Sequence, residues 1–437
     1  MLRIQQPSRK KPTWSWDFAA KGSLPPGATY TGNGGNGTRF NSAGVLVQSV
    51  NNVARFDYDP VTHAPLGYLA EMASTNSLLQ SEAFDSASWN GDGGRTTVTA
   101  NAAIAPDGNM TADKLIPSAA NTYHDRYNGA APAITANAPL SASLFVKAAE
   151  LSAVTLNIFG ATSTKWVSVT FDLATGTVSK SQAGAGGTFI SASIRALSNG
   201  WYRISFIGSL NDTIVNWLVE ANNTTTPTYS SWGLSAGYAG NASDGLYVWG
   251  AQMELGGVGV TSYIPTAGAT VTRAVDLLTL PLTSLPGWSA AQGGVFTAAY
   301  RLNTKYPASP GYNQPPIEIQ AADYQNSVQM LANYGGANQY GGWSASGGTV
   351  AIAYGGTTVA PFTRRKQSIG WTVNRVVNCA DGGAPLLTVL AVALPVAPAT
   401  MYFGLYGTSG HALGGALESI AYYRGARSDA FVQQVSR

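Results

Sequence analysis

The sequence has little with which to build a covalent or metal-held framework. A single cysteine, Cys379, excludes any intrachain disulfide and any zinc or iron-sulfur site made of several cysteines. The three histidines are far apart, without a His-x-x-x-His pair. The fold must therefore be held together by packing. We expect no cofactor, although loop aspartates such as Asp107 or Asp244 leave a structural calcium ion open.

Charged residues are also scarce. They make up 11% of the 437 residues, against roughly 25% in ordinary soluble domains, and the net charge is +3. Arg3, Arg9, Lys10 and Lys11 account for the excess, because removing these four from the 25 basic residues leaves 21 against 22 acidic ones. A chain without a broad basic face is not expected to bind nucleic acid.

No apolar run is long enough to span a membrane. The most apolar stretch, Ala384 to Ala399, is shorter than the roughly 20 residues required and contains three prolines. At the N-terminus, Pro12, Trp14 and Trp16 occur where a signal peptide would have an unbroken apolar segment. We therefore expect neither membrane insertion nor Sec-type export.

Glycine and aromatic residues are abundant, with 50 Gly, 11 Trp, 21 Tyr and 13 Phe, and short apolar-alternating segments lie between turn residues. This pattern of short alternating segments and turn residues predicts an all-β fold with two antiparallel β-sandwich domains, jelly-roll or concanavalin-like, and an extended N-terminal arm. Three segments illustrate it: a half-buried strand from Trp166 to Phe171, a second strand from Trp201 to Ile207 after an Asn199-Gly200 turn, and a central strand from Leu246 to Leu255.

Composition divides the chain into three parts. Residues 1–54 have too little apolar content for a core of their own and form the predicted arm. Residues 55–280 form the first sandwich and residues 281–437 the second, with a Pro- and Gly-containing linker from Leu280 to Trp288. A short helix is predicted after Ser428, which can cap it.

No arrangement of residues indicates catalysis. The segment Gly233–Gly237 matches the pattern of a nucleophile elbow around Ser235, but the residues that follow do not favour the helix that such an elbow requires. The seven glutamates are scattered, without the alternating carboxylates that sandwich-fold glycosidases present on one strand. The protein is therefore predicted not to be an enzyme, although a site assembled across strands stays open.

Two groups of residues are candidates for binding. Aromatic faces with amide groups nearby suit sugars, and one glycine-rich segment supplies both through Tyr334, Asn338, Tyr340 and Trp343. Burial of these aromatic residues in a strand is the competing interpretation. The basic, tryptophan-bearing N-terminus is a candidate anchor to a partner protein, through Arg9, Lys10, Lys11, Trp14 and Trp16.

Several short motifs, in one order, resemble a module of tailed-bacteriophage and prophage structural proteins. They cover roughly Thr38 to Arg273 and include Arg55–Gly67, Ala105–Gly108, Asn199–Arg203, Trp249–Gln252 and Thr261–Thr266. The last unit resembles a concanavalin-type or laminin-G sandwich through its Asp381-Gly382 hairpin and its tail from Tyr422 to Ala430. The resemblance implies a carbohydrate-binding-module-like jelly roll and a place in the virion, and brings no catalytic residues.

These observations predict a non-enzymatic virion protein, assembled in the bacterial cytoplasm as a tail-associated fibre or appendage. Its partners would be other virion proteins, reached through the arm, further copies of itself, with a trimer favoured, and a host surface polysaccharide. A capsid decoration or head-fibre protein and a polysaccharide depolymerase are the alternatives.

Overall fold

The computed structural model describes most of the chain. The described residues are 11–32, 35–90, 94–257, 259–304, 313–321, 327–333, 339–346, 349–356, 360–372, 375–389, 399–406 and 411–437.

Between residues 11 and 70, residues 33 and 34 aside, the structure describes six strands and one helical turn. These are β1 (Trp14–Asp17), α1 (Phe18–Lys21), β2 (Thr29–Thr31), β3 (Thr38–Phe40), β4 (Leu46–Gln48), β5 (Phe56–Tyr58) and β6 (Pro65–Ala70). The side chain of Asp17 caps α1 by accepting a hydrogen bond from the Ala20 amide.

The middle of the chain folds into what we term the central sandwich, residues 74–273. Its strands are β7 (Ser74–Asn76), β8 (Trp89–Asn90), β9 (Thr96–Ile104), β10 (Met110–Pro117), β11 (Asn121–Thr122), β12 (Asp125–Asn128), β13 (Leu140–Ala148), β14 (Ala153–Phe159), β15 (Trp166–Asp172), β16 (Thr177–Ala183), β17 (Gly187–Ala196), β18 (Trp201–Leu210), β19 (Asn216–Asn222), β20 (Tyr238–Ala239), β21 (Leu246–Leu255) and β22 (Val271–Arg273). One sheet has the order β17-β18-β13-β21-β10-β9, with β7 beside β21 and β22, and the facing sheet has the order β16-β15-β14-β19-β12-β8.

The remaining elements are β23 (Leu277–Pro281), β24 (Gly294–Leu302), β25 (Ile317–Gln320), β26 (Ser327–Leu331), β27 (Tyr340–Ser346), β28 (Thr349–Gly355), β29 (Arg364–Thr372), β30 (Arg375–Ala380), β31 (Leu386–Val389), β32 (Thr400–Phe403), β33 (Leu405–Tyr406), β34 (His411–Ala412), β35 (Gly415–Arg424) and α2 (Asp429–Val435). With N-terminal strands they form what we term the terminal sandwich. Its sheets have the orders β31-β30-β29-β24-β35-β6-β5, with β1 also on β35, and β2-β23-β32-β25-β26-β27-β28. The all-β prediction of two antiparallel sandwiches is confirmed.

Several predicted elements are found where the sequence pattern placed them. The strand from Leu246 to Leu255 is β21, which lies centrally between β13 and β10. The C-terminal helix begins after Ser428, whose side chain accepts a hydrogen bond from the Phe431 amide. Cys379 is a buried residue of β30. The strand β15 differs from its prediction, because Ser168 and Thr170 are buried under the segment 228–235 rather than exposed.

The predicted domain boundaries need correction. The N-terminal segment is extended, but from Lys11 onward it does not form a separate arm. Trp14 lies opposite Tyr422 in the pairing of β1 with β35, β2 pairs with β23, and Phe18 is buried in the core of the terminal sandwich. The predicted linker is also part of that core, since Leu280, Leu282 and Leu285 are buried. The central sandwich is thus inserted into the terminal one.

A buried ionic cluster lies where the chain passes between the sandwiches. Arg55 bonds both Glu71, at 2.7 Å, and Asp276, and Arg273 lies 3.7 Å from Glu71 and 3.6 Å from Asp276. Burial alone would raise the pKa of Glu71, but the guanidinium groups of Arg273 and Arg55 outweigh it and lower the pKa to about 2. Two arginines and two carboxylates therefore neutralise one another at the junction.

Candidate functional site

A pocket of about 300 Å³ lies between the two sandwiches and is partly open to solvent. This volume is at the lower end of the roughly 300–1,000 Å³ usual for small-molecule sites. One wall is the face of β13, β17 and β18, a second is the hairpin of β3 and β4, and the third consists of Asn303, Thr304 and residues 360–362 of the terminal sandwich. We call it the interdomain pocket.

Two arginines lie side by side on the β-sheet wall. Arg195 of β17 is the register partner of Arg203 of β18, and Arg203 is in turn the partner of Phe145 on β13. Directly opposed residues share a face of a sheet, so both guanidinium groups belong to the same row along the pocket. A third arginine, Arg39 of β3, lines the pocket from the hairpin.

Aromatic rings hold these arginines in place. The guanidinium carbon of Arg195 lies 4.6 Å from the ring centre of Phe362 and 5.7 Å from that of Phe40, and that of Arg203 lies 5.3 Å from the ring centre of Phe145. Phe362 has a φ of +63°, a left-handed conformation that costs a non-glycine residue roughly 1–2 kcal/mol. Such strain is typical of positions that present a side chain at a functional site.

The pocket has more positive than negative charge. Asp57 is the carboxylate among its lining residues, and its Oδ1 already accepts a hydrogen bond of 2.8 Å from the Phe40 amide. Burial raises the pKa of Asp57, although Arg195 opposes the shift. Burial likewise lowers the pKa of Arg195 and of Arg203, because nearby carboxylates do not compensate the loss of water. Three arginines against one aspartate leave an excess of cationic donors.

Hydroxyl groups complete the polar lining. Ser191, Ser193 and Ser205 lie on the β-sheet wall, with Thr304 across from them. Hydroxyls both donate and accept hydrogen bonds, so they suit a ligand that carries hydroxyls of its own. Ring faces, hydroxyls and guanidinium groups are together the kinds of group that contact a polar ligand.

The predicted sugar-binding patch is not assembled as an exposed platform. Tyr334 and Asn338 lie outside the described residues. Tyr340 of β27 is 8% exposed, with the guanidinium carbon of Arg365 4.7 Å from its ring centre, so it offers no open face for a sugar. Trp343, also on β27, is half-buried, and its indole N–H has no hydrogen-bond partner among the described residues.

The residues of the predicted anchor do not form one exposed group in the structure. Arg9 and Lys10 lie outside the described residues, and Lys11 is exposed. Trp14 and Trp16 pack against the core of the terminal sandwich, and the indole of Trp16 donates a hydrogen bond to the Ser23 carbonyl. Both tryptophans therefore have a structural role as part of β1, and this corrects their assignment to a free anchor.

The elbow pattern does not form a nucleophile site. Ser235 is buried, its hydroxyl donates to Glu220 at 2.6 Å, and it is followed by the short strand β20 rather than by a helix. Asp107 and Asp244, the predicted calcium candidates, accept hydrogen bonds within their own turns, from Asn109 and Ser243 respectively. Within the described part of the chain no group of three or more His, Cys, Asp or Glu side chains is arranged for a metal ion.

Arg195 and Arg203, the residues that define the pocket, were not among the sequence candidates. The sequence does contain one signal for them, since both flank the turn at Asn199-Gly200. A two-residue turn would place Arg195 opposite Ile204, whereas the observed connection has three residues, 198–200, and places it opposite Arg203. One residue of loop length decides whether the two arginines share a face.

Neither a protein-family model nor a curated protein matches the sequence. Among solved structures, the CBM40 domain of the Ruminococcus gnavus IT-sialidase bound to α2,3-sialyllactose is 12% identical, with 34% of this chain and 84% of that chain covered and a TM-score of 0.28. Domain 4 of a Geobacillus stearothermophilus GH43 arabinanase is 12% identical, covering 41% and 82%, with a TM-score of 0.30. The mouse laminin α1 domains LG4-5 are 12% identical, covering 71% and 84%, with a TM-score of 0.23. Scores this low support no statement about ligand or activity.

Among the described residues, no helix has both the length and the apolar character needed to cross a membrane.

Proposed function

We propose that this protein is a non-enzymatic structural protein of a bacteriophage virion, a tail-associated fibre or appendage, whose interdomain pocket binds a glycan of the host surface. The virion assignment is supported by the motifs between Arg55 and Thr266. The observation that carries the binding function is the interdomain pocket itself, because it combines concave shape, ring faces and hydroxyl groups in one place. Several copies on one particle would turn weak individual sites into firm adhesion.

The lining of the pocket supports binding without catalysis. Glycosidases of the usual kind place two carboxyl groups on either side of the scissile bond. Among the described residues that line this pocket, Asp57 is the one acid, and it is 3% exposed with its Oδ1 engaged by the Phe40 amide. A depolymerase would need a second acid, which the described lining residues do not supply.

A glycan array of the full chain tests the binding function, with two variants that separate the candidate sites. Phe362→Gly removes a ring from the pocket and also relieves the positive-φ strain, so the variant should stay folded. Trp343→Ala removes an aromatic residue of β27 that does not line the pocket. We expect the array signal to be lost in the first variant and kept in the second. Signal lost only in Trp343→Ala would move the site to β27, and no signal from the wild-type chain would refute glycan binding.

Assembly onto the particle is tested by deletion of residues 1–11. This deletion removes Arg9, Lys10 and Lys11 but keeps β1, so it separates an anchoring role from a folding role. We expect a folded protein that no longer joins particles, and normal incorporation would refute the basic segment as the anchor. Immunogold labelling of wild-type particles distinguishes a tail appendage from the alternative of a capsid decoration or head fibre.

A further inference from the structure

The arginine pair of the interdomain pocket places two positive charges side by side, which destabilises the folded chain unless a negative charge lies nearby. Like charges directly opposite each other on neighbouring strands repel, and the effect is larger where water is partly excluded. Arg195 and Arg203 are such a pair, and the side chain of Arg195 is only 17% exposed. A compensating anion is therefore expected at this position.

The described part of the chain supplies negative charge to Arg195 but leaves Arg203 without an ion pair. Arg203 donates through Nη2 to the hydroxyl of Ser143 at 3.1 Å, and its Nε is buried without a partner. Arg195 forms a long ion pair with Asp59, at 3.9 Å from Oδ2, and Asp57 of the pocket lining also acts on its charge. Glu254, the other acid near this wall, is occupied by hydroxyl and amide donors of Ser74, Ser141 and Thr261.

The same chain neutralises the buried arginines that it uses for structure. Arg55 and Arg273 at the junction between the sandwiches have Glu71 and Asp276 within 4 Å, two acids for two bases. In the interdomain pocket, Arg195 has the carboxylate of Asp59 at 3.9 Å, whereas Arg203 has no carboxylate within 4 Å among the described residues. The difference points to Arg203 as the guanidinium group with which a negative charge from outside the chain would pair.

Two guanidinium groups provide several planar N–H donors, and these match the two oxygens of a carboxylate. The serine hydroxyls of the same wall then face the rest of the ligand. We infer that the interdomain pocket selects a sugar that carries a carboxylate, with the carboxylate held between Arg195 and Arg203. The inference rests on the glycan-binding function proposed above and names the class of sugar.

Matched pairs of sugars test the selection on the full chain. Methyl glucuronide and methyl glucoside differ only in carboxylate against hydroxymethyl, and methyl galacturonide and methyl galactoside form a second pair. Titration calorimetry should show the acidic member of at least one pair binding roughly ten- to hundredfold more tightly than the neutral member. Equal affinities would overturn the inference while leaving glycan binding intact, and the absence of binding by every sugar, array glycans included, would refute both.

Variants then locate the carboxylate. In Arg195→Gln and Arg203→Gln the preference for the acidic sugar should disappear, whereas Arg424→Gln, outside the pocket, should retain it. Because Arg203→Gln removes a like-charge contact and no ion pair, its melting temperature without ligand should equal or exceed that of the wild type. Retention of the preference in both pocket variants, or binding of inorganic sulfate without binding of either uronide, would overturn the inference.

Discussion

The buried acid Glu220 gives the sharpest prediction about stability. Its side chain, on β19, is 0% exposed, and it accepts hydrogen bonds from the amide and the hydroxyl of Ser235. Burial raises the pKa of Glu220 from 4.5 to about 8, the carboxylate of Asp125 adds to the rise, and Ser235 and Arg95 oppose it. The native state therefore holds a proton that the unfolded chain loses.

The sign and size of the effect follow from linkage. The folded-state pKa is raised, so between pH 4.5 and pH 8 the native state binds more protons than the unfolded state, and stability falls as the pH rises. Each pH unit inside this window is worth about 1.4 kcal/mol. Allowing for partial titration at both ends, the free energy of unfolding should fall by about 3–4 kcal/mol between pH 5 and pH 8 because of Glu220 alone.

Glu220→Gln should abolish this loss. An amide imitates the protonated acid, since its oxygen can accept from the Ser235 amide while its NH₂ donates to the Ser235 hydroxyl. Urea unfolding followed by tryptophan fluorescence at several pH values from 5 to 8 measures the difference between variant and wild type, in which the titration of other groups cancels. That difference should grow by about 3–4 kcal/mol in favour of the variant.

The control is Glu150→Gln, at a glutamate of the central sandwich whose side chain is 49% exposed and whose pKa is lowered by its hydrogen bond to Lys114. From pH 5 to pH 8 this residue is mainly ionised in both states, so the control should run nearly parallel to the wild type. If Glu220→Gln also runs parallel, Glu220 ionises normally in the folded protein and the argument from burial is wrong.

Two further predictions concern how the sandwiches are joined. Asp276→Ala removes one of the two carboxylates that bond Arg55 and the carboxylate that accepts from the Tyr30 hydroxyl, so the free energy of unfolding should fall by about 3–5 kcal/mol in urea titrations. An unchanged midpoint would contradict a structural role for the ionic cluster. Phe18→Ala removes a fully buried ring and should lower the free energy of unfolding by about 3–5 kcal/mol in the same titrations, although Phe18 lies in the segment predicted as a free arm. A decrease below about 1 kcal/mol would contradict the place of Phe18 in the core.

Strand positions were predictable because they depend on local alternation and turn residues. Trp201–Ile207 carries a period-two pattern and Leu246–Leu255 is apolar on both faces, and both are strands of the central sandwich. The burial of both faces of β15 was not predictable, because the residues that cover Ser168 come from the distant segment that contains Gly233. Alternation reports what each side chain prefers and does not report what lies above the sheet.

The insertion of one sandwich into the other could not be predicted from local patterns in the sequence. The pairing of Trp14 with Tyr422 joins residues at opposite ends of the chain, and no periodic pattern encodes so distant a partner. Low apolar content from residue 1 to residue 54 suggested an arm, yet strands at the edge of a sheet need only one buried face and few large residues. Phe18 and Tyr30 are enough to attach this segment to the core.

The inserted topology also explains why a pocket between the sandwiches can be a defined site. A single linker would leave relative motion of the two units as the default. Here the chain crosses twice, at residues 71–74 and 273–276, and the ionic cluster of Arg55, Glu71, Arg273 and Asp276 ties the two crossings together. The walls that carry Arg195 and Phe362 are thereby held in fixed positions relative to each other. A ligand then loses less of its interaction energy to the cost of ordering the two walls on binding.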